Sequence, residues 1–373
     1  MLSELLKNFP VVQLHASADT FIKGLCFDSR QVQPGDAFFA LGGLVHDGHL
    51  FIDEAMRRGA SAVFTERECS LREGVAGVIV ENTRQAMALA AQAYYGDPTR
   101  GMAVVGITGT NGKTTISYLL EAVLRQAGLS PAVVGTVNYR YGENEFPAPH
   151  TTPESTELLS RIKEFKLSGA RSLALEVSSH ALEQFRTDGI HFRVGVFSNL
   201  TPEHLDYHPD MESYFRSKCR LFLELLQKDA GTAVINCDDP YGARLAKLVP
   251  EALTCGQRCR ADIHPVALSA TLDGIRGRIA TPVGEVKLTT RLLGEYNVEN
   301  LLCCIGACVA LGLPLTTIEQ GLAAAPDVPG RLERIENDRG AVILVDYAHT
   351  GDAVQRVVGA MKPAAPQRLL TIF

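Results

Sequence analysis

The chain has 373 residues, with 36 Lys or Arg against 42 Asp or Glu, so its formal net charge is −6 at pH 7. This length predicts two or three domains, and the acidic balance argues against a nucleic-acid partner, whose binding surface is usually basic. No signal-peptide pattern opens the chain, and its longest apolar stretch, residues 301–313, is shorter than the about 20 residues of a membrane-spanning helix, so we expect a cytoplasmic protein without membrane contact.

The first 98 residues mix short apolar runs with helical patterns. We predict strands at 37–41, 62–65 and 77–80, and helices at 51–58 and 84–95. The sequence Gly96-Asp97-Pro98-Thr99 then predicts a linker. These residues indicate a small mixed α/β domain.

The most informative segment is 106–115, which reads GITGTNGKTT. The apolar run before it predicts a buried strand, and the pattern after it predicts an amphipathic helix. Glycines and a helix N-terminus in this order bring N–H groups to an anion, so Lys113 would reach the terminal phosphates of a nucleoside triphosphate and Thr114 would hold Mg²⁺. The alternative is an ordinary glycine-rich turn. Ile107 stands where the general phosphate-loop pattern has Gly, which points to a variant of that loop. We call residues 106–115 the cradle.

Further apolar strands are predicted at 132–135, 172–177, 194–200 and 231–236, separated by amphipathic helices. This alternation is typical of a mostly parallel sheet covered by helices on both faces. Ligands bind such sheets at the carboxyl ends of the strands. The polar clusters that follow these strands are therefore candidate site residues.

Glu176 ends one strand and is a candidate Mg²⁺ ligand; the alternative is a buried acid paired with a base. The segment 199–208 after the next strand holds two His and two carboxylates, for which Mg²⁺–triphosphate chemistry, a zinc site and a polar loop are the alternatives. Asn297 and Asn300 lie on one face of a helix, where they would read a base edge or cap the helix. Asp346 follows a strand at 341–345 and suits a ribose hydroxyl or a metal shell.

Cysteines and the last residues carry two further expectations. The nine cysteines fit no common zinc spacing, and we expect reduced, structural thiols, three of them in the apolar helix beginning near 296. A third block begins near 330, and the apolar run 368–373 predicts a strand. Because a domain rarely ends on a core strand, we expect that this last domain is mostly absent.

Taken together, these segments resemble the Mur ligases of peptidoglycan synthesis, and most of all the members that add the third amino acid to UDP-N-acetylmuramoyl-L-Ala-D-Glu. The resemblance rests on short segments spread over nearly the whole chain: Asp28-Ser29-Arg30, 106–115, Thr151-Thr152-Pro153, 176–180, 199–208, the helix around Lys218, Asn297 with Asn300, Gly330-Arg331, and 346–349. It implies a small N-terminal UDP-sugar-binding domain at 1–98, a central P-loop ATPase-type domain at 99–329, and the start of a Rossmann-like amino-acid-binding domain at 330–373.

The resemblance also implies a chemistry. ATP would phosphorylate the free D-Glu carboxylate, and the amine of meso-diaminopimelate or L-lysine would attack the acyl phosphate. Catalysis would involve Lys113, Glu176, His204 and a carbamylated Lys218, with Mg²⁺ bound by Thr114, Glu176, His204 and the modified Lys218. The nucleotide would be held by Gly109, Thr110, Asn111, Gly112, Lys113, Thr114, Thr115, Asn297, Asn300, Arg331 and Asp346. The sugar-peptide substrate would be bound by Ser29, Thr151, Thr152, Ser178, Gln184 and Arg186.

Three alternatives stay open from the sequence: a MurF-type ligase, a folylpolyglutamate-synthase-type ligase, and a non-catalytic nucleotide-binding module. Glu203 stands directly before His204, where relatives often carry Asp, so the acidic character of the position is kept. The resemblance implies a monomer. It also implies that the residues selecting the incoming amino acid lie beyond Phe373, so we expect impaired ligation by these 373 residues.

Overall fold

The computed structural model describes residues 1–15, 19–43, 47–338, 340–349, 351–362 and 368–372. The chain forms two compact units. The first unit comprises 1–100, 153–168 and 180–190, and the second comprises 101–152, 169–179 and 191–373. Segments 153–168 and 180–190, which we assigned to a central domain from the sequence, thus group with residues 1–100. The division into three domains stays a prediction.

The first unit contains a five-stranded sheet in the order β1-β5-β4-β3-β2, in which β2 to β5 are parallel and β1 is antiparallel to β5. The strands and helices predicted in residues 1–98 are confirmed, with small differences at their ends. The elements of residues 1–100 are α1 (Leu2–Leu5), β1 (Gln13–His15), β2 (Gly24–Cys26), β3 (Asp36–Phe39), α2 (Ile52–Arg57), β4 (Ala62–Thr65), β5 (Ala76–Ile79) and α3 (Thr83–Tyr94).

An eight-stranded sheet in the order β13-β12-β11-β6-β10-β7-β8-β9 organises the second unit. Its strands from β13 to β7 are parallel, as the alternating pattern predicted, and β8 and β9 add an antiparallel edge. The elements of residues 101–255 are β6 (Ala103–Thr108), α4 (Lys113–Gln126), β7 (Pro131–Val134), β8 (Asn138–Tyr141), β9 (Asn144–Pro147), α5 (Ser155–Leu167), β10 (Ser172–Glu176), α6 (Ser179–Glu183), β11 (Val194–Phe197), α7 (Met211–Arg220) followed by a π-helical turn at Leu221–Leu225, α8 (Leu226–Lys228), β12 (Thr232–Asn236), α9 (Pro240–Leu248) and β13 (Leu253–Cys255).

The sequence analysis missed a three-stranded antiparallel sheet in residues 264–290. Its signal is a period of two, because Val286, Leu288 and Thr290 are buried while the residues between them are exposed. The remaining elements are β14 (His264–Thr271), β15 (Gly274–Thr281), β16 (Gly284–Thr290), α10 (Tyr296–Ala310), α11 (Leu315–Ala323), β17 (Glu333–Ile335), β18 (Ile343–Val345) and α12 (Gly351–Met361). The strand predicted at 368–373 is wrong over its described part, because residues 368–372 pair with no neighbouring strand; Phe373 lies outside the described residues.

The core of the second unit joins the parallel sheet to α4, α10, α11 and the buried face of β15 and β16. All nine cysteines are free thiols, and the three in α10 are buried among apolar side chains, as expected of structural thiols. Within the described residues, no helix has the length and apolarity needed to cross a membrane.

Candidate active site

Four adjacent parallel strands in the order β11-β6-β10-β7 bring the candidate residues of the second unit to one edge of the sheet. The glycine-rich cradle follows β6, Glu176 is the last residue of β10, Asn199 follows β11, and Thr136 follows β7. The carboxyl ends of parallel strands meet at the same edge, which is where ligands bind in this fold class.

The cradle is held in place by the end of β11. The Asn199 side chain accepts a hydrogen bond from the Asn111 N–H (2.8 Å) and donates one to the Asn111 carbonyl oxygen (3.2 Å). The Ser198 hydroxyl donates to the same carbonyl at 2.6 Å. Gly112 has φ +90°, and a Cβ there would lie 2.1 Å from Asn300 Oδ1, so only glycine fits.

Two lysines converge on one carbonyl oxygen of the cradle. Lys113 Nζ donates to the carbonyl oxygens of Gly109 (2.9 Å) and Thr110 (2.8 Å), and Lys218 Nζ donates to that of Gly109 (3.0 Å). Burial lowers the pKa of both amines, and the charge of Lys113 lowers the pKa of Lys218 further. Lys218, only 1% exposed, lies 4.7 Å from the Tyr214 ring centroid.

Glu176 is a buried carboxylate, 1% exposed, that is surrounded by hydroxyl groups. It accepts hydrogen bonds from Thr136 (2.8 Å), Thr114 (3.2 Å) and Ser117 (3.5 Å). The alternative that it is paired with a base is wrong, because no ion pair joins Glu176 to any described residue. Its charge instead acts on Lys113, whose pKa it raises against the effect of burial.

The loop after β11 places His204 at φ +57°, with a half-exposed ring 3.7 Å from the carboxylate of Glu203. Burial lowers the pKa of His204, and the charges of Lys113 and Lys218 lower it further, while Glu203 raises it. His208 is buried; its Nε2 lies 2.9 Å from Ser179 Oγ, and its ring stacks on Tyr214 at 4.9 Å.

Hard oxygen donors of Glu176, Thr114 and Thr136 suit Mg²⁺. Among the described residues, no group of three or more His, Cys, Asp or Glu side chains is arranged to hold a metal ion. Mg²⁺ is usually bound by one or two carboxylates together with substrate phosphates, so the donor set fits that ion.

A cavity next to the cradle contains most of the predicted nucleotide residues. Gly109 and Asn297 are the exceptions. The Asn297 side chain is buried, and its Oδ1 accepts a hydrogen bond from the Asn300 amide at 2.8 Å. Asp346 accepts from the N–H groups of Leu332 and Ala348, both at 2.8 Å. The cavity is lined by Thr110, Asn111, Gly112, Lys113, Thr114, Thr115, Thr136, Asn199, Tyr296, Glu299, Asn300, Arg331, Asp346, Ala348, Ala353, Arg356 and Val357.

Three predicted substrate residues of the second unit lie beside Glu176. Thr152 Oγ1 donates to the Glu176 carbonyl oxygen (2.8 Å) and accepts from the Ser178 N–H (3.1 Å). Thr151 Oγ1 lies 3.0 Å from Thr136 Oγ1, which bonds the Glu176 carboxylate. Thr152 therefore contacts the main chain of the candidate metal ligand, and Thr151 is connected to its carboxylate through Thr136.

The other three predicted substrate residues belong to the first unit. Ser29 is buried and its hydroxyl donates to Glu54 Oε2 at 3.2 Å. Arg186 donates from Nε (3.1 Å) and Nη2 (2.7 Å) to Gln184 Oε1, and its Nη2 lies 3.1 Å from Glu154 Oε1. The sequence analysis proposed no role for Glu154.

Three further residues of the second unit were given no individual role by the sequence analysis: Glu203, Thr136 and Asn199. Glu203 and Asn199 stand in a polar run whose position after a strand was itself the signal. Thr136 had no signal, because its contact with Glu176 depends on the pairing of β7 with β10.

A mostly parallel sheet with a glycine-rich strand-to-helix cradle and a lysine at the helix start defines a P-loop-type nucleotide-binding protein. The model of the Mur ligase middle domain matches residues 107–308, and that of the Mur ligase family catalytic domain matches residues 21–95. The UDP-N-acetylmuramoyl-L-alanyl-D-glutamate--2,6-diaminopimelate ligase of Geobacter metallireducens is 50% identical over 357 residues, which cover 94% of this chain and 70% of that protein. The chain belongs to the Mur ligase family.

Solved structures agree with this assignment. The structure of a UDP-N-acetylmuramoyl-L-alanyl-D-glutamate--2,6-diaminopimelate ligase is similar with a TM-score of 0.80 and 32% identity, covering 91% of this chain and 70% of that one. The MurF ligase of Thermotoga maritima in complex with ADP has a TM-score of 0.62 at 24% identity, covering 92% and 75% of the two chains. The latter likeness shows the fold alone.

Proposed function

We propose that the protein is an ATP-dependent ligase that joins 2,6-diaminopimelate to UDP-N-acetylmuramoyl-L-Ala-D-Glu through an acyl phosphate. The observation that carries the proposal is the charge of the buried Glu176 carboxylate acting on the cradle lysine, Lys113, in a chain that is 50% identical to a UDP-N-acetylmuramoyl-L-alanyl-D-glutamate--2,6-diaminopimelate ligase. That likeness favours diaminopimelate over L-lysine. We further propose that it acts in the cytoplasm as a monomer.

The residues suit a reaction that brings several anions together. Transfer of the γ-phosphoryl group to a carboxylate needs positioning and positive charge more than a protein nucleophile. Lys113 and the N–H groups of the cradle would hold the β- and γ-phosphates, and Thr114 and Glu176, with His204, would hold Mg²⁺. When bound, that ion would supply positive charge that offsets the negative charges of the phosphate and the substrate carboxylate.

Lys218 is proposed to be carbamylated. A buried amine whose pKa is lowered is neutral, and therefore nucleophilic, at a lower pH than an exposed lysine. The neutral nitrogen would bond to the carbon of CO₂ and release one proton to solvent, which converts a neutral amine into a carbamate anion. The product would place a negative charge near Lys113 and provide an additional oxygen for Mg²⁺.

The remaining assignments follow the family resemblance. Asn300, Arg331 and Asp346 would hold the nucleotide, with Asn297 supporting Asn300 from behind. The sugar-peptide would be bound by Ser29, Thr151, Thr152, Ser178, Gln184 and Arg186. The UDP-sugar, ATP and amino-acid roles proposed for residues 1–98, 99–329 and 330–373 belong to the same hypothesis.

Thermal-shift titration tests the proposal, because a ligand that binds only the folded chain raises its melting temperature. We expect stabilisation by UDP-N-acetylmuramoyl-L-Ala-D-Glu and by ATP with Mg²⁺, and loss of the ATP response in Lys113→Ala. Stabilisation by folate in place of the UDP-sugar would indicate a folylpolyglutamate-synthase-type ligase. A response to ATP alone would indicate a nucleotide-binding module and contradict the proposal.

A further inference from the structure

The first unit contains a cluster of three charged side chains in which two arginines share one carboxylate oxygen. Arg84 Nη1 lies 3.4 Å and Arg186 Nη2 lies 3.1 Å from Glu154 Oε1. Arg84 also donates from Nη2 to the Gly42 carbonyl oxygen at 3.4 Å. All three side chains are largely buried, with exposed fractions of 21% for Arg84, 14% for Arg186 and 16% for Glu154.

The second oxygen of the shared carboxylate has no partner. Glu154 Oε2 is buried and forms no hydrogen bond with any described residue. A buried carboxylate oxygen without a donor is costly, and most such atoms in folded proteins are satisfied. The position of Glu154 therefore calls for an N–H or O–H group supplied from outside the described residues.

Local structure does not explain either Glu154 or Arg84. Glu154 stands at the N-cap position of α5, but its side chain forms no capping hydrogen bond. Arg84 lies in the first turn of α3, where the helix dipole disfavours a positive charge. Neither side chain therefore stabilises its own helix, and the two meet each other instead.

We propose that Arg84 is a positioning residue for substrate binding. Together with Arg186 it fixes Glu154 Oε1, and this orients Oε2 to accept a hydrogen bond from an amide N–H group of the muramoyl peptide. The inference rests on the proposed function, because it takes that substrate as the donor. Arg84, which is distant in sequence from Glu154 and Arg186, thereby joins the residues proposed to bind the peptide.

A double-mutant cycle tests whether Arg84 acts through Glu154. The variants are Arg84→Met, Glu154→Gln and the combination, and the measurement is the dissociation constant by calorimetry for UDP-N-acetylmuramoyl-L-Ala-D-Glu and, separately, for UDP alone. We expect each single variant to bind the peptide ligand about tenfold more weakly, because a hydrogen bond to a charged group is lost. We expect the double variant to lose about tenfold as well, and affinity for UDP to stay unchanged.

A matched control separates this effect from general damage. Glu164→Gln makes the same change on the same helix, at an exposed carboxylate that also pairs with an arginine, Arg161. It should leave both affinities and the melting temperature unchanged. If Arg84→Met does not fold, Arg84→Gln takes its place in the cycle.

The outcomes that contradict the inference are distinct from those that contradict the proposed function. Additive losses in the double variant, equal losses for UDP alone, or unchanged affinity in both single variants would each overturn the role of Arg84. Failure of the wild-type chain to bind the peptide ligand at all would overturn the proposed function, and this inference with it.

Discussion

Replacement of Gly135 by alanine should displace the Glu176 carboxylate without altering any polar group. A Cβ at position 135 would lie 2.3 Å from Glu176 Oε1, 2.7 Å from its Cδ and 3.0 Å from its Cγ. Gly135 is not among the glycines with positive φ, so alanine suits its backbone. The strain therefore falls on the carboxylate, which is buried and has little free space.

The size of the effect follows from these distances. An ordinary contact begins near 3.4 Å, so the carboxylate must move by about 1 Å, and its hydrogen bonds with Thr136 and Thr114 must lengthen. A misplacement of about 1 Å at a reacting centre can cost about 100-fold in rate, which equals about 2.7 kcal/mol of transition-state stabilisation. Overpacking adds about 1–3 kcal/mol of lost stability.

The assay is phosphate release from ATP in the presence of UDP-N-acetylmuramoyl-L-Ala-D-Glu, 2,6-diaminopimelate and Mg²⁺. We expect kcat/KM to fall about 100-fold in Gly135→Ala. The control is Gly195→Ala on β11 of the same sheet, where the added Cβ would meet only apolar atoms, at 3.2 Å from Phe222 and 3.4 Å from Leu226. A folded Gly135→Ala variant with wild-type kcat/KM would refute a role for the position of Glu176.

Two further predictions concern the cradle. Asn199→Asp replaces the amide donor that faces the Asn111 carbonyl by an oxygen, so we expect the affinity for ADP to fall about tenfold while the affinity for the UDP-sugar ligand is kept. Calorimetry with both ligands measures the two affinities, and equal losses would contradict the prediction. Folding lowers the pKa of Lys218, so between that lowered value and 10.5 the unfolded chain binds one more proton than the folded chain. The free energy of unfolding should therefore rise with pH across this window, by at most about 1.4 kcal/mol per pH unit. Urea unfolding at several pH values in carbonate-free buffer should show a smaller slope in Lys218→Met, and an unchanged slope would argue against a neutral Lys218.

Local patterns were sufficient to predict the parallel sheet and the cradle. The strand before Gly106, the glycines and the helix from Lys113 are consecutive in sequence, so their periodicity and turn chemistry lie in one window. The sheet at 264–290 was missed because its alternation is short and polar, and it was overlooked beside the stronger pattern of the parallel strands. Element type was therefore predicted best where burial on both faces produced continuous apolar runs.

Site residues were recognised where the residue type and its place in the sequence pattern were sufficient to suggest a role. They were missed where the role depends on a contact with a residue distant in sequence. Lys113 begins the helix after the cradle and Glu176 ends a strand, and the sequence pattern already marked both positions. Thr136 bonds Glu176 across 40 residues, and Arg84 meets Glu154 across 70. No local pattern encodes such pairs, because each depends on the packing of elements that are distant in sequence.

The electrostatics of the cradle disfavour a protonated Lys218. Lys113 and Lys218 donate to the same Gly109 carbonyl oxygen, which cannot balance two ammonium charges, and no ion pair joins either lysine to a described residue. The carboxylate of Glu203 acts on both amines but also on His204, so its charge is shared. The protein can relieve this repulsion by leaving Lys218 neutral. A carbamate there would go further, since it reverses the sign of the charge and leaves Lys113 as the single lysine cation of the pair beside the phosphates.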